Sequence, residues 1–168
     1  MKYMKQQTLL PVTMPSNAQD VIYTPDHIAK DIIDHFCPSG KCLDPCKGNG
    51  AFLKYLPANS DWCEITEGKD FFEYRKKVDW IVGNPPYSIF EKWLTHSFRV
   101  ANDILYLIPI TKALTSYKVM RLVYSLGSIQ EIFVLGAGHH IGFPFGFAVG
   151  AVHFKSGVNV DIKVSFIN

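Results

Sequence analysis

A chain of 168 residues that is 48% hydrophobic can bury a real core as one globular domain, and nothing in it suggests a second. Charged residues make up 19% and the net charge is +2, so no strong electrostatic footprint identifies a polyanion partner. No apolar run is long enough to span a membrane, and Lys2 and Lys5 are not followed by a signal-like apolar core; a cytoplasmic protein with no membrane partner is expected.

Residues 1–20 show no usable periodicity and carry Pro11 and Pro15, so they read as a flexible arm before a single domain over 21–168. Tyr23-Thr24-Pro25-Asp26 then reads as a helix start, with Thr24 as N-cap, Pro25 in the first helical position and Asp26 in the first turn. Ile28, Ile32, Ile33 and Phe36 recur on one face, and Pro38-Ser39-Gly40 stops the helix. Residues 41–53 read as strand, glycine-containing turn and helix. Gly48 and Gly50 allow a ligand to approach the backbone, and Asp44 puts an acceptor at the strand's carboxyl end. That carboxylate suits a cationic or hydroxyl-bearing ligand better than a phosphate, which calls for a Lys-Ser/Thr pair that is missing here.

A second short strand spans residues 61–65 and carries Glu64 near its end, where nucleoside-binding α/β folds use an acid to hold ribose hydroxyls. Cys37, Cys42, Cys46 and Cys63 contain no Cys-x-x-Cys pair and fit no common zinc spacing. They are expected as free, mostly buried thiols, with no metal. Arg75-Lys76-Lys77 reads as a solvated basic turn.

Residues 78–82 form a buried-strand pattern that ends in Gly83-Asn84-Pro85-Pro86-Tyr87. Gly83 is expected to let the backbone leave the strand in an unusual conformation. Two consecutive prolines remove two N–H donors and fix two φ angles, which leaves a stiff ledge with free carbonyls. The Asn84 side-chain oxygen and the Pro85 carbonyl can both accept from the hydrogens of one amino group, while Tyr87 can stack on a ring.

Ser88-Ile89-Phe90-Glu91 has the pattern of a capping box opening a helix to about residue 100. Residues 103–109 form a continuous apolar strand, expected to be buried on both faces. A helix over 112–126 and a strand over 129–135 follow. Residues 136–147 form a Gly- and aromatic-rich loop with the composition of a site-shaping segment. His139 and His140 have no carboxylate motif around them, and no metal is expected there. Residues 148–154 and 160–167 are expected to close the chain as a β-hairpin around Ser156-Gly157. Alternating strands and helices predict an α/β fold: a mostly parallel, Rossmann-like sheet with helices on both faces and that terminal hairpin. Asp44, Glu64, Asp70 and the proline ledge would then share one crevice at the strands' carboxyl ends.

With these motifs in this order, the chain resembles the S-adenosylmethionine-dependent DNA adenine N6-methyltransferases marked by Asn/Asp-Pro-Pro-Tyr/Phe, in their γ-type arrangement. Asn84-Pro85-Pro86-Tyr87 matches the catalytic motif outright, and Leu43-Asp44-Pro45 with Gly48, Gly50, Ala51 and Phe52 looks like the cofactor loop. The resemblance implies a methyltransferase fold and a catalytic set of Asn84, Pro85, Pro86 and Tyr87. It implies cofactor contacts from Tyr23, Thr24, Pro25, Asp44, Cys46, Gly48, Gly50, Glu64, Asp70, Phe71 and Asn84. It also implies substrate contacts from Tyr87 and from Phe143, as the aromatic packing a flipped base from the other side. S-adenosylmethionine is the implied cofactor and DNA the implied substrate.

The chain departs from the pattern in three ways. Only five residues separate Glu64 from Asp70, where the family inserts a helix. Lys47 replaces a small or apolar loop residue. No target-recognition domain follows, so sequence reading is left to short loops, the N-terminal arm, a second copy of the chain or a separate specificity subunit. Rival readings use the same chemistry on RNA adenine or a protein glutamine amide, or make the chain a non-catalytic cofactor-binding subunit.

Overall fold

A computed structural model describes residues 22–157 and 161–167; the expected arm at 1–20 lies outside them. The first helix, α1 (Asp26–Phe36), buries Ile28, Ala29, Ile32 and Ile33 along the face its periodicity predicts. Pro25 rather than Thr24 is its N-cap residue, and no side chain caps it. Cys37 ends it in the left-handed conformation, donating its N–H to Ile33 O.

The sheet has seven strands: β1 (Cys42–Asp44), β2 (Asp61–Trp62), β3 (Val78–Gly83), β4 (Ala101–Pro109), β5 (Gly127–Ala137), β6 (Ala148–Ser156) and β7 (Lys163–Phe166). Their order is β2-β1-β3-β4-β6-β5-β7. From β2 to β4 the strands run parallel, β6 is antiparallel to both β4 and β5, and β7 is parallel to β5. The chain leaves β1 toward β2 and then returns to place β3 on the other side of β1. This makes the β1/β3 seam the switch point at which such sheets bind ligands.

Successive residues of the central strands serve different layers. Ile81, Ile104, Tyr106 and Ile108 pack with α2 (Phe90–Val100) through Phe90, Trp93 and Leu94, and with α4 (Tyr117–Leu126) through Val119 and Val123. Val82, Leu105, Leu107 and Ala151 pack with α1 on the opposite face. Strand β4 is therefore buried on both faces, as its unbroken apolar run predicts.

Several expectations are corrected. No regular helix follows the Asp44 loop; residues 49–56 form linked turns, such as Lys54 N to Gly50 O at 3.1 Å. Ile89 rather than Ser88 stands at the N-cap of α2, without a side-chain bond, after a 3-10 turn over Tyr87–Ile89, and Glu91 lies 4.0 Å from Lys118. The helix expected over 112–126 is two helices, α3 (Ile110–Leu114) and α4, because Ser116 breaks the run and accepts from Val119 N. The terminal hairpin is absent as well. Strand β6 already has β4 and β5 on its two edges, so the last strand crosses to the open edge of β5 and runs parallel to it.

Candidate active site

The parallel register pairs Leu43 with Ile81, which brings the carboxyl ends of β1 and β3 side by side. Gly83 closes this seam, but not through an unusual φ as expected: its φ is not positive. A Cβ there would stand 3.0 Å from Pro45 Cδ, 3.2 Å from Asp44 Oδ1 and 3.5 Å from Cys46 Sγ. The missing side chain is what lets the Asp44 loop touch the proline ledge. Cys46 ties the two together, donating its thiol hydrogen to Asn84 O at 3.2 Å. Burial, with Asp44 beside it, pushes this thiol well above its ordinary pKa, so it stays a donor.

Asn84 is fixed from the other direction. Its Nδ2 donates to Ile22 O at 2.9 Å and to Thr24 Oγ1 at 3.3 Å. A backbone carbonyl can only accept, so the amide must turn its NH₂ end toward it. With both amide hydrogens committed, the group Asn84 retains for a ligand is its carbonyl oxygen, an acceptor. This explains why Thr24 is buried and does not cap α1. Its hydroxyl orients Asn84 instead, a role that helix-start statistics could not suggest.

Asp44 is only 1% exposed. Its Oδ1 accepts from Cys46 N at 3.2 Å, whereas Oδ2 is buried without a hydrogen-bond partner among the described residues. Burial raises its pKa from 3.8 to about 7, against the Cys46 N–H bond, and the charge of Glu64 adds to the shift. Gly48 and Gly50 both take positive φ, and the ring of exposed Tyr23 lies over Gly48. Glu64 Oε2 accepts from Gly48 N at 3.0 Å, and its Oε1 accepts from Thr66 N and Thr66 Oγ1. Burial opposes ionisation of Glu64, but these bonds from Thr66 and Gly48 hold its pKa below the ordinary value. The short connection after it folds back tightly, with Glu64 bridging Lys69. Lys47 is turned aside, paired with Glu67 at 2.9 Å and placed over the Trp62 ring.

Asp70 accepts from Phe72 N at 2.8 Å at the start of a single 3-10 turn. Phe71 is 2% exposed, its ring against Trp93 and His96, so it can offer a ligand its backbone but not its ring. Phe143 is likewise spent on the core, at 3% exposed. The aromatic facing Tyr87 is Phe145, edge-on at a centroid distance of 6.3 Å and stacked on Phe147 at 4.1 Å. Sequence reading missed Phe145. The alternation Phe143-Pro144-Phe145-Gly146-Phe147 was visible, but only packing shows which ring is buried. Pro25 touches this loop: a Cβ on Gly142 would stand 3.3 Å from Pro25 Cγ. Asp44, Cys46, Gly48, Glu64, Thr24 and Asn84 thus form one contact network, with Tyr87 continuing the ledge. Among the described residues no cluster of His, Cys, Asp and Glu could hold a metal, and no helix is long and apolar enough to cross a membrane.

No family model and no curated protein matches the chain. Solved structures do. A Listeria monocytogenes protein assigned to the class I S-adenosylmethionine-dependent methyltransferases is similar at 12% identity and a TM-score of 0.62, over 86% of this chain and 65% of its own. The methyltransferase subunit of a type I restriction-modification system from Streptococcus thermophilus is similar at 12% identity and TM-score 0.61, over 86% and 47%. A Pyrococcus horikoshii protein assigned as an RNA methyltransferase is similar at 14% identity and TM-score 0.60, over 80% and 86%. The chain thus spans 65% of the first of these and about half of the second. Its mixed seven-stranded sheet with helices on both faces is the Rossmann-like fold of the class I methyltransferases.

Proposed function

We propose that the chain transfers a methyl group from S-adenosylmethionine to the exocyclic 6-amino group of adenine in DNA. The observation that carries this reading is the Asn84 amide, whose two hydrogens are held by Ile22 O and Thr24 Oγ1. An acceptor-only amide followed by a proline carbonyl matches an NH₂ group, which brings two hydrogens to donate.

The cofactor, when bound, supplies the methyl group on a positively charged sulfur. The residues at the seam fit such a group. Among the described residues the buried Asp44 Oδ2 has no donor, and the Gly48-Gly50 turn leaves backbone open to close approach. Glu64 and Asp70 would complete the cradle.

Adenine's amino nitrogen is a poor nucleophile because its lone pair is delocalised into the ring. Asn84 Oδ1 and the Pro85 carbonyl would accept its two hydrogens and favour a pyramidal nitrogen with its lone pair out of the plane. The same fixed dipoles stabilise positive charge developing on that nitrogen. Neither carbonyl is basic enough to keep a proton, so the hydrogen lost after transfer leaves to water. Tyr87 and Phe145 would replace the stacking a base loses on leaving a duplex.

The neighbouring structures include a type I modification subunit and a protein assigned to RNA methylation, so DNA and RNA are tested side by side. The test is nucleoside mass spectrometry after incubation with S-adenosylmethionine and unmethylated DNA, RNA or cell protein, with Asn84→Ala run in parallel. Asn84-dependent N6-methyladenine in DNA is the expected result. Methyl transfer that survives Asn84→Ala, or that appears only on protein glutamine, overturns the reading.

A further inference from the structure

A groove of about 850 Å³ opens beside the crevice, between residues 72–75 and the outer face of α2. It begins where two crevice segments leave the site: Phe72 follows Asp70 and Phe71, and Ser88 follows Tyr87. Arg75 stands on one wall and Lys92 and Arg99, two turns apart on one helix face, on the other. Among the described residues none of these three is ion-paired, although nine ion pairs occur elsewhere.

Arg75 Nη1 is anchored on Phe72 O at 2.7 Å and Tyr74 O at 3.0 Å, which orients the guanidinium and leaves its other N–H groups available. Lys92 Nζ stands 4.4 Å over the Phe72 ring. The one acid lining the groove, Glu91, lies 4.0 Å from Lys118. His96 sits between the walls with its Nε2 against Tyr74 O at 3.2 Å. Burial, then Arg75 and Arg99, hold its pKa down, so it adds no charge of its own near neutral pH. Three cations from two segments thus line one groove against a single carboxylate. Part of the basic run 75–77, read from sequence as a solvated turn, thus lines a groove.

We propose that this groove holds the phosphodiester backbone of the strand whose base enters the crevice, with Arg75, Lys92 and Arg99 contacting its phosphates. The proposal rests on the nucleic-acid reading of the site above. It gives the catalytic domain a sequence-independent grip on its substrate, right next to the ledge.

The test measures binding of a short fluorescent single strand, as DNA and as RNA, by anisotropy over a range of salt concentrations. Each phosphate contact on a single strand contributes about 0.7 to the slope of log affinity against log salt. Lys92→Gln with Arg99→Gln should therefore lower the slope by about 1.4. Lys30→Gln with Lys163→Gln, matched in charge but placed on α1 and β7, should leave it unchanged. Cofactor affinity by calorimetry and far-ultraviolet circular dichroism confirm that each variant is folded. An equal loss in both double variants, or no loss in the groove variant, overturns the proposal. The loss confined to DNA or to RNA supports it and identifies the sugar. A groove-dependent slope without any N6-methyladenine supports the groove and sinks the adenine reading. N6-methyladenine formed with an unaltered slope does the reverse.

Discussion

At the residue scale, the site depends on groups that local structure alone would leave elsewhere. Thr24 is a helix-start residue by sequence, yet its hydroxyl lies 3.3 Å from Asn84 Nδ2. Thr24→Val keeps the shape and removes one of two acceptors. Since one hydrogen bond contributes about 1 kcal/mol, kcat is expected to fall roughly fivefold to tenfold. KM for the cofactor should change little. A loss confined to cofactor affinity would contradict this positioning role.

Asp44 makes a pH prediction of definite sign. Its folded pKa is raised from 3.8 to about 7, chiefly by burial, so the native state holds this proton longer than the unfolded chain. Its contribution to stability is therefore present at low pH, declines as pH rises from 3.8 toward 7, and stays lost above. Asp44→Asn should make the cofactor-free protein increasingly more stable than wild type across that window, by up to about 4 kcal/mol. Urea denaturation at a series of pH values measures the difference; a constant offset would sink the prediction. The same variant should lose cofactor binding.

At the element scale, the loop between β5 and β6 carries two phenylalanines with opposite duties. Phe143 is in the core beneath α1, whereas Phe145 faces Tyr87. Phe143→Ala should cost about 3–5 kcal/mol in chemical denaturation, the usual price of truncating a buried ring. Phe145 is only partly buried, so Phe145→Ala should cost clearly less stability than Phe143→Ala and, on the proposed function, weaken nucleic-acid use by roughly 1–3 kcal/mol, read as a higher KM for the strand. Equal stability losses in both would refute the division. Gly138 holds the arrangement in place, because a Cβ there would stand 2.6 Å from Phe145.

At the scale of the whole molecule, β7 closes a sheet edge rather than a hairpin. Its Ser165 Oγ donates to Glu131 Oε1 at 2.5 Å and Lys163 pairs with the same carboxylate at 3.1 Å. Lys163, Val164 and Phe166 are exposed, so β7 adds little to the core. Ending the chain at Gly157 should spare cofactor binding and expose the edge of β5 to pairing with another chain. Concentration-dependent self-association in analytical ultracentrifugation is the expected outcome. A truncated protein that stays monomeric would show that the edge is protected some other way.

How much of this was legible beforehand follows from which interactions are local. Residue order alone determined the strand pattern at 78–82, the apolar face of α1 and the doubly buried β4, because periodicity records burial. It also determined the Asn84-Pro85-Pro86-Tyr87 ledge, because two prolines restrict the backbone wherever they occur. Only the tertiary structure decided what depends on residues distant in sequence. It turned Thr24 toward Asn84 and buried one oxygen of Asp44 without a partner among the described residues. It exchanged Phe143 for Phe145 opposite Tyr87, and sent the last strand to the edge of β5 because both edges of β6 were already paired.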